Sequence, residues 1–422
     1  MPPPETMHRS SFSPDQARIL PETLHLQFNT GSAMIDRAGV MSHSSPSLGG
    51  KSTPNLRDIA IFFLRLGTTA FGGPAAHIAM MEENVVRRYQ WLTREEFLDL
   101  LGIVNLIPGP NSTEMAIQIG YRVAGWPGLV LGGLCFIFPA GILTGLLAWA
   151  YVHCGRLPQA AGVLYGIKAV VIAVVAQAIW NLARTAVKNW KLALVGLGAV
   201  IAAALGVNVL LVLLGSGIIV VAMARISTAD RSSGMAAVAG VTAAGVGAGA
   251  FGLGPLFLVF LKVGALLFGS GYVLLAFLRA DLVLRRHWLT DAQLLDAIAV
   301  GQMTPGPVFT TATFVGYLLG RLPGATAATA GIFLPSFLLI ALVGPLVPWL
   351  RRSPATRPFL DGVNVGALAL MLVVTWHLGR AAIVDVTTAG LALVSLILLL
   401  RFRVNSAWLV LGGAVVGAMF SR

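Results

Sequence analysis

The sequence predicts an all-α polytopic membrane protein of two homologous repeats, read as inverted, with helices broken at Pro-Gly-Pro motifs. Three observations carry this. With 56% hydrophobic and 11% charged residues and a mean hydropathy of +0.82, a chain of 422 residues lacks the polar surface to cover itself in water. A series of motifs also occurs twice in one order. Phe63-Leu-Arg-Leu-Gly67, Phe71-Gly-Gly73, Trp91-Leu-Thr93, Asp99 and Pro108-Gly-Pro110 recur 197 residues later as Phe260-Leu-Lys-Val-Gly264, Phe268-Gly-Ser270, Trp288-Leu-Thr290, Asp296 and Pro305-Gly-Pro307. Self-similarity at a fixed period marks a repeated architecture. Finally, both proline triplets interrupt apolar segments at equivalent positions.

Residues 1–56 are rich in Ser, Pro and balanced charge without an apolar period, and read as a disordered tail. The repeats follow as 57–224 and 254–422. Each opens with a first span, about 57–80 and 254–278, leading through a charged amphipathic stretch to Trp-Leu-Thr. Thr93 and Thr290 then read as helix N-caps, with Glu95, Glu96 and Asp291 in the following turns. The triplet-broken segment comes next, then long apolar spans such as 128–151 and 163–180. At about 1.5 Å per residue these cross about 30 Å of hydrocarbon. Two shorter helices close each repeat. The linker 225–253 is Ala, Gly and Val rich and can supply one extra span that inverts the second copy. The net charge of +12 falls outside the tail, mostly in short loops such as Arg87-Arg88 and Arg285-Arg286, where it reads as topology signal and headgroup contact. Nucleic acid is a poor partner for that pattern; the lipid bilayer is a good one. Inversion, however, sets these two arginine pairs on opposite faces, against the positive-inside tendency.

No Cys or His cluster has metal-ligand spacing, and no nucleophile with a base or glycine-rich nucleotide loop is present, so the reading is a non-enzyme with neither metal nor cofactor. His77 reads as a packing residue.

Pro108, Gly109 and Pro110, like Pro305, Gly306 and Pro307, cannot continue a helix, and a break at membrane depth is tolerated only where it lines a cavity or is buried in protein. The segments that start after each break present helix N-termini, which favour anions. Hydroxyl and amide donors stand there: Asn111, Ser112 and Thr113 in the first copy, Thr310, Thr311 and Thr313 in the second. Proline kinks capped by nearby hydroxyls are the plainer alternative. Arg65 and Lys262 are equivalent intramembrane cations that either face an anion or snorkel to a nearby surface. Phe71, Gly72, Gly73 and Pro74, with Gly269 in the second copy, read as sites of helix break and close approach. Glu114 has no acidic counterpart and reads as a proton-coupling group, or as an ion-pair partner of Arg65 or Lys168. Asn105 and Gln302 are matched supporting amides three residues before each triplet.

Phe71-Gly-Gly-Pro74 with Ala76-His77-Ile78, Arg87-Arg88 to Trp91-Leu-Thr93, and Pro108-Gly-Pro-Asn-Ser-Thr113 together resemble the two-domain chromate ion transporter (CHR) family of the ChrA type, over about 57–421. The resemblance implies an inner-membrane, multi-pass secondary transporter that exports chromate on the membrane potential or proton gradient, with sulfate as an analogue and halves of opposite orientation. Transport of sulfate or another tetrahedral oxyanion, an anion channel, and a homodimer stay open. Where the family suggests glutamine, this chain has Asn105 and Glu114.

Overall fold

The computed structural model describes residues 54–154, 158–226, 251–268, 271–343, 353–402 and 404–420, and every regular element among them is helical. The tail before residue 54 and the linker expected to carry an extra span (227–250) lie outside the described residues.

α1 (Leu56–Thr69) buries Ile59, Phe62, Phe63 and Leu66 and stops at Ala70. A single span to about residue 80 is what the apolar composition suggests. Instead Gly72 and Gly73 take φ of +106° and +78°, a region open chiefly to glycine, and Pro74 sits in the first turn of a new helix, where its missing N–H costs nothing. α2 (Gly73–Glu82) follows, running into a π-helical turn, Glu83–Arg88. α3 (Arg94–Val104) is capped by Thr93, whose hydroxyl accepts from Glu96 N while Glu96 Oε2 accepts from Thr93 N at 2.9 Å. The backbone then breaks through the first triplet.

α4 (Asn111–Cys154) is two helical arms joined at Ala124 and Gly125, which leave helical geometry. The arms, 111–123 and 126–154, run antiparallel, with Gly120 against Gly128 and Ala116 against Gly132 at backbone contact. Side chains larger than hydrogen have no room there. Arg122 at the end of the short arm pairs with Glu96 at the start of α3, Nη2 to Oε1 2.9 Å. α3 and the short arm therefore form a re-entrant hairpin whose two ends meet and whose tip is the triplet.

α5 (Pro158–Ala186), α6 (Trp190–Ala204) and α7 (Val209–Ile226) complete the first copy. The second repeats it: α8 (Leu253–Leu266), α9 (Leu274–Leu278) running into a second π turn (Arg279–Arg285), α10 (Asp291–Met303) capped by Thr290, and α11 (Thr311–Val343), again two arms broken at Gly320 and Arg321. α12 (Thr356–Ala382), α13 (Val386–Arg401) and α14 (Ser406–Phe420) close it. Among the described residues, five helices are long and apolar enough to cross a membrane, and α6, α8, α13 and α14 are shorter apolar helices.

The copies are inverted and intertwined. The first hairpin's open end lies beside the 124–125 turn, where the long arm of α4 begins. The second hairpin lies toward the other end of that arm: Phe314 packs edge-on against Tyr151, ring centroids 5.2 Å apart, and the Tyr151 hydroxyl donates to Asp296 of α10 at 2.9 Å. The two hairpins thus enter from opposite ends. Beyond them α5 packs on α13 and α14 of the other copy, while α12 packs on α6 and α7. Gly166 meets Gly413 backbone to backbone, and at the equivalent seam Gly362 meets Ser216. The largest hydrophobic cluster runs through both copies, joining α5 to α8, α10, α11 and α12.

Candidate functional site

Each of the two triplet tips is held by the other copy. Gly109 N–H donates to the carbonyl of Leu267 at the end of α8, 2.7 Å, and Gly306 N–H donates to the carbonyl of Ala70 at the end of α1, 2.9 Å. A helix end leaves carbonyls without intrahelical donors, so each tip glycine satisfies a group that would otherwise be orphaned in apolar surroundings. His77 Nε2 lies 3.1 Å from the same Ala70 oxygen. Reading the sequence for packing alone missed that role.

The first tip also rests on α11. A Cβ at Gly109 (φ +144°) would collide with Glu114 Oε1 and come within 3.0 Å of Ser336 Oγ. Glu114 is wholly buried, and neither oxygen has a hydrogen-bond partner. Asn111 Nδ2 donates to Asn105 Oδ1 across the break, 3.0 Å. Ser112 and Thr113 are buried, and Thr113 Oγ1 is without a partner. The second tip rests on α4 through Ala140, which packs on Gly306, and Thr144, whose hydroxyl lies 3.2 Å from Thr310 Oγ1 and 3.4 Å from Thr304 Oγ1. In this conformation the Thr310 and Thr311 hydroxyls donate to Pro307 O at 2.9 Å and Val308 O at 2.8 Å, and Thr313 hydrogen-bonds Thr329. Gln302 Nε2 is buried and unpartnered. Thr113, Gln302 and His77 Nδ1 are thus buried without a partner at the tips, and the Glu114 carboxyl and Ser336 hydroxyl face each other without a well-formed hydrogen bond.

The matched cations have different surroundings. Lys262 pairs with Asp281, and both are largely buried. Arg65, at the equivalent place, is exposed and forms no ion pair among the described residues; the counterpart of Asp281 is Asn84. Lys168 is not a partner of Glu114. Its Nζ lies 3.0 Å from Asp296 Oδ1, the acid that also accepts from Tyr151. Phe71 is partly exposed beside the Gly72 turn. Gly269 lies outside the described residues.

Sequence reasoning passed over Ser336, Thr144, Asp281 and the two carbonyl anchors. Ser336 had a signal, since it follows Pro335, which matches Pro139 of the first copy at an offset of 196, the repeat slipping by one residue after the triplets. The carbonyls had none, because backbone acceptors leave no trace in residue type. No group of three or more His, Cys, Asp or Glu among the described residues could hold a metal ion.

The arrangement is two buried, pseudo-symmetric re-entrant tips carrying unpartnered polar groups, in a polytopic helical protein. No solved structure matches the chain. It is 35% identical over 376 residues to a chromate transport protein of Cupriavidus metallidurans, covering 86% of this chain and 93% of that one. It is 30% identical over 332 residues to a chromate transport protein of Pseudomonas aeruginosa, covering 75% and 80%. A probable chromate transport protein of Synechococcus elongatus is 29% identical over 354 residues, covering 81% and 89%. The Chromate transporter family profile matches twice, at residues 57–221 and 254–418, and with each match falling on one of the inverted copies, the chain belongs to that family of transporters.

Proposed function

We propose that the chain exports chromate across the cytoplasmic membrane as a secondary transporter, driven by the membrane potential or the proton gradient. The observation that carries this is the pair of inverted, buried tips, each held by the other copy, with polar groups left unpaired. Inverted repeats meeting at broken helices are how alternating-access carriers build a site near mid-membrane. A tetrahedral dianion fits such a place, taking hydrogen bonds from Thr113, Ser336 and Gln302 while Arg65 and Lys262, each five residues before the carbonyl that anchors a tip, offset its charge. Five residues are about 7.5 Å along a helix. Chromate as the substrate comes from the relatives' names and from this donor chemistry.

Moving a dianion outward across an inside-negative membrane releases roughly 4 to 5 kcal/mol at 100 mV, so voltage suffices as a driving force. Glu114 is the proton-coupling group in this scheme, because it is a buried carboxylate beside the anion site with no cation paired to it. Initial rates of radiolabelled chromate flux in proteoliposomes, with potential and pH gradients imposed separately, test the reading. Saturable flux that follows the potential and is slowed by excess sulfate agrees with it. Non-saturating flux with single-channel current marks a channel, and absence of flux ends the proposal.

A further inference from the structure

A cavity of about 1060 Å³ opens between α8, α9 with its π turn, α12 and the turn joining α6 to α7. Its wall carries four cations, Lys262, Arg279, Arg285 and Arg286, against one carboxylate, Asp281. Two of the four are neutralised: Lys262 by Asp281, and Arg279 by Asp291 at 2.8 Å. Arg285 and Arg286 have no ion pair among the described residues. Arg286 lies over the Trp288 ring, 4.8 Å from its centroid, with Nε and Nη1 buried and without a hydrogen-bond partner. Nε and Nη1 lie on opposite edges of the guanidinium, so each is a single charge-assisted donor, and stacking on the indole fixes the plane of the group.

The cavity has a direction. Its wall grades from exposed to buried: Val207, Leu284 and Arg285 are exposed, while Val259, Phe277 and Asp281, the partner of Lys262, are buried. Leu266, also on the wall, precedes Leu267, whose carbonyl holds the first tip. The wall therefore reaches from a basic exposed edge to the helix end that anchors a tip.

The first copy does not repeat this set of charges. The positions of Arg279, Asp281, Arg286 and Asp291 are Glu82, Asn84, Tyr89 and Arg94 there. The ion pair survives with its signs exchanged, Arg94 Nε to Glu82 Oε1 3.8 Å, and the unpartnered guanidinium is gone. Because the copies are inverted, the two ends of the molecule differ in charge.

We infer that this cavity is the loading vestibule for a doubly charged tetrahedral oxyanion, captured by Arg286 at the mouth and passed to Lys262 at the inner end, so that the second copy sets the side from which the anion is taken. The inference rests on the oxyanion-transport reading above. In it the Lys262–Asp281 pair is a gate that an arriving dianion opens by competing with Asp281 for the ammonium group.

The test is chromate flux in phosphatidylcholine proteoliposomes, with the two orientations of the protein resolved, together with calorimetric titration of the purified protein with sulfate. Losing a charged contact should raise the apparent KM of Arg286→Gln about tenfold from the vestibule side, with the maximal rate within about twofold. Arg286→Lys should recover part of the loss, and Arg88→Gln in the first copy should leave KM unchanged. An unchanged KM in Arg286→Gln overturns the inference, as does an equal effect from both sides. Sulfate binding that Arg286→Gln weakens supports the site even if no chromate moves, in which case it is the transport reading that falls. If phosphatidylglycerol binds through Arg286 and sulfate does not, the group is a headgroup contact and the vestibule is lost.

Discussion

Gly109 gives its backbone N–H to the Leu267 carbonyl across the boundary between the two copies, at 2.7 Å. The mirrored bond from Gly306 to Ala70, 2.9 Å, closes the same relation in the other direction. Each copy thus finishes a helix that belongs to its partner copy.

Gly109→Ala tests this interlock. Its φ of +144° disfavours any side chain, and the added methyl meets Glu114 and Ser336. We expect a destabilisation of about 2 kcal/mol or more and at least a tenfold loss of chromate flux. Gly141→Ala, at a helical glycine whose Cβ would meet nothing within 4 Å, should change stability by less than about 1 kcal/mol, in the favourable direction. Thermal unfolding in detergent, run beside flux, checks both.

Glu114→Gln keeps the shape of the side chain and removes its proton exchange. Flux driven by an imposed potential should persist within a few-fold, while the response to a pH gradient at zero potential disappears. If the variant still responds to the pH gradient, proton coupling lies elsewhere.

Lys168 and Asp296 form a largely buried pair, 3.0 Å apart, with side-chain exposures of 21% and 5%. Removing one partner strands a charge, so Lys168→Met should cost about 3 kcal/mol. Adding Asp296→Asn should restore most of it. A double-mutant cycle on unfolding midpoints gives the coupling, and equal loss in single and double variants would show that the pair holds nothing together.

Asp385 lies between α12 and α13, fully exposed, with Thr388 N–H donating to Oδ1 at 2.8 Å and the Tyr165 hydroxyl donating to Oδ2. The Thr388 backbone N–H first, then the Tyr165 hydroxyl, hold its carboxyl below the ordinary value of 3.8. A carboxyl depressed in the folded state adds stability that is complete above the unfolded value and is lost as pH falls through the folded one. Asp385→Asn, which still caps α13 but does not titrate, should therefore flatten the stability curve below about pH 3.8 and leave its neutral region nearly level. Unfolding midpoints across an acid series show whether it does.

Much of this fold was legible because Trp, Pro and Gly are poor substitutes for anything else. The repeated Trp-Leu-Thr and Pro-Gly-Pro motifs marked the copies, and Thr93 and Thr290 announced helix starts through their capping partners. What escaped was direction. The sequence reads as one first span to about residue 80, yet Gly72 and Gly73 turn the chain at positive φ, and composition cannot separate a turn from a kink. The Ala124–Gly125 break is likewise hidden inside a long apolar run. Arg87-Arg88 and Arg285-Arg286 argued against inversion, yet each pair precedes a Trp-Leu-Thr motif, with Arg88 and Arg285 aligned, and the two stand at opposite ends of the inverted copies. At the tips the triplets and Glu114 were visible, but Ser336 and the Leu267 and Ala70 carbonyls approach from the other copy, and contacts of that kind depend on three-dimensional closure.

The crossed glycine bonds also limit how such a machine can move. Any displacement that draws the two halves straight apart breaks both bonds at once and strands Gly109 N, Gly306 N and the Leu267 carbonyl, while Ala70 O keeps His77 beside it, each stranded group costing up to several kcal/mol. A rotation about the line joining the two anchors stretches neither. In the alternating-access scheme proposed above, the interlock is therefore the axle about which one side would open while the other closes.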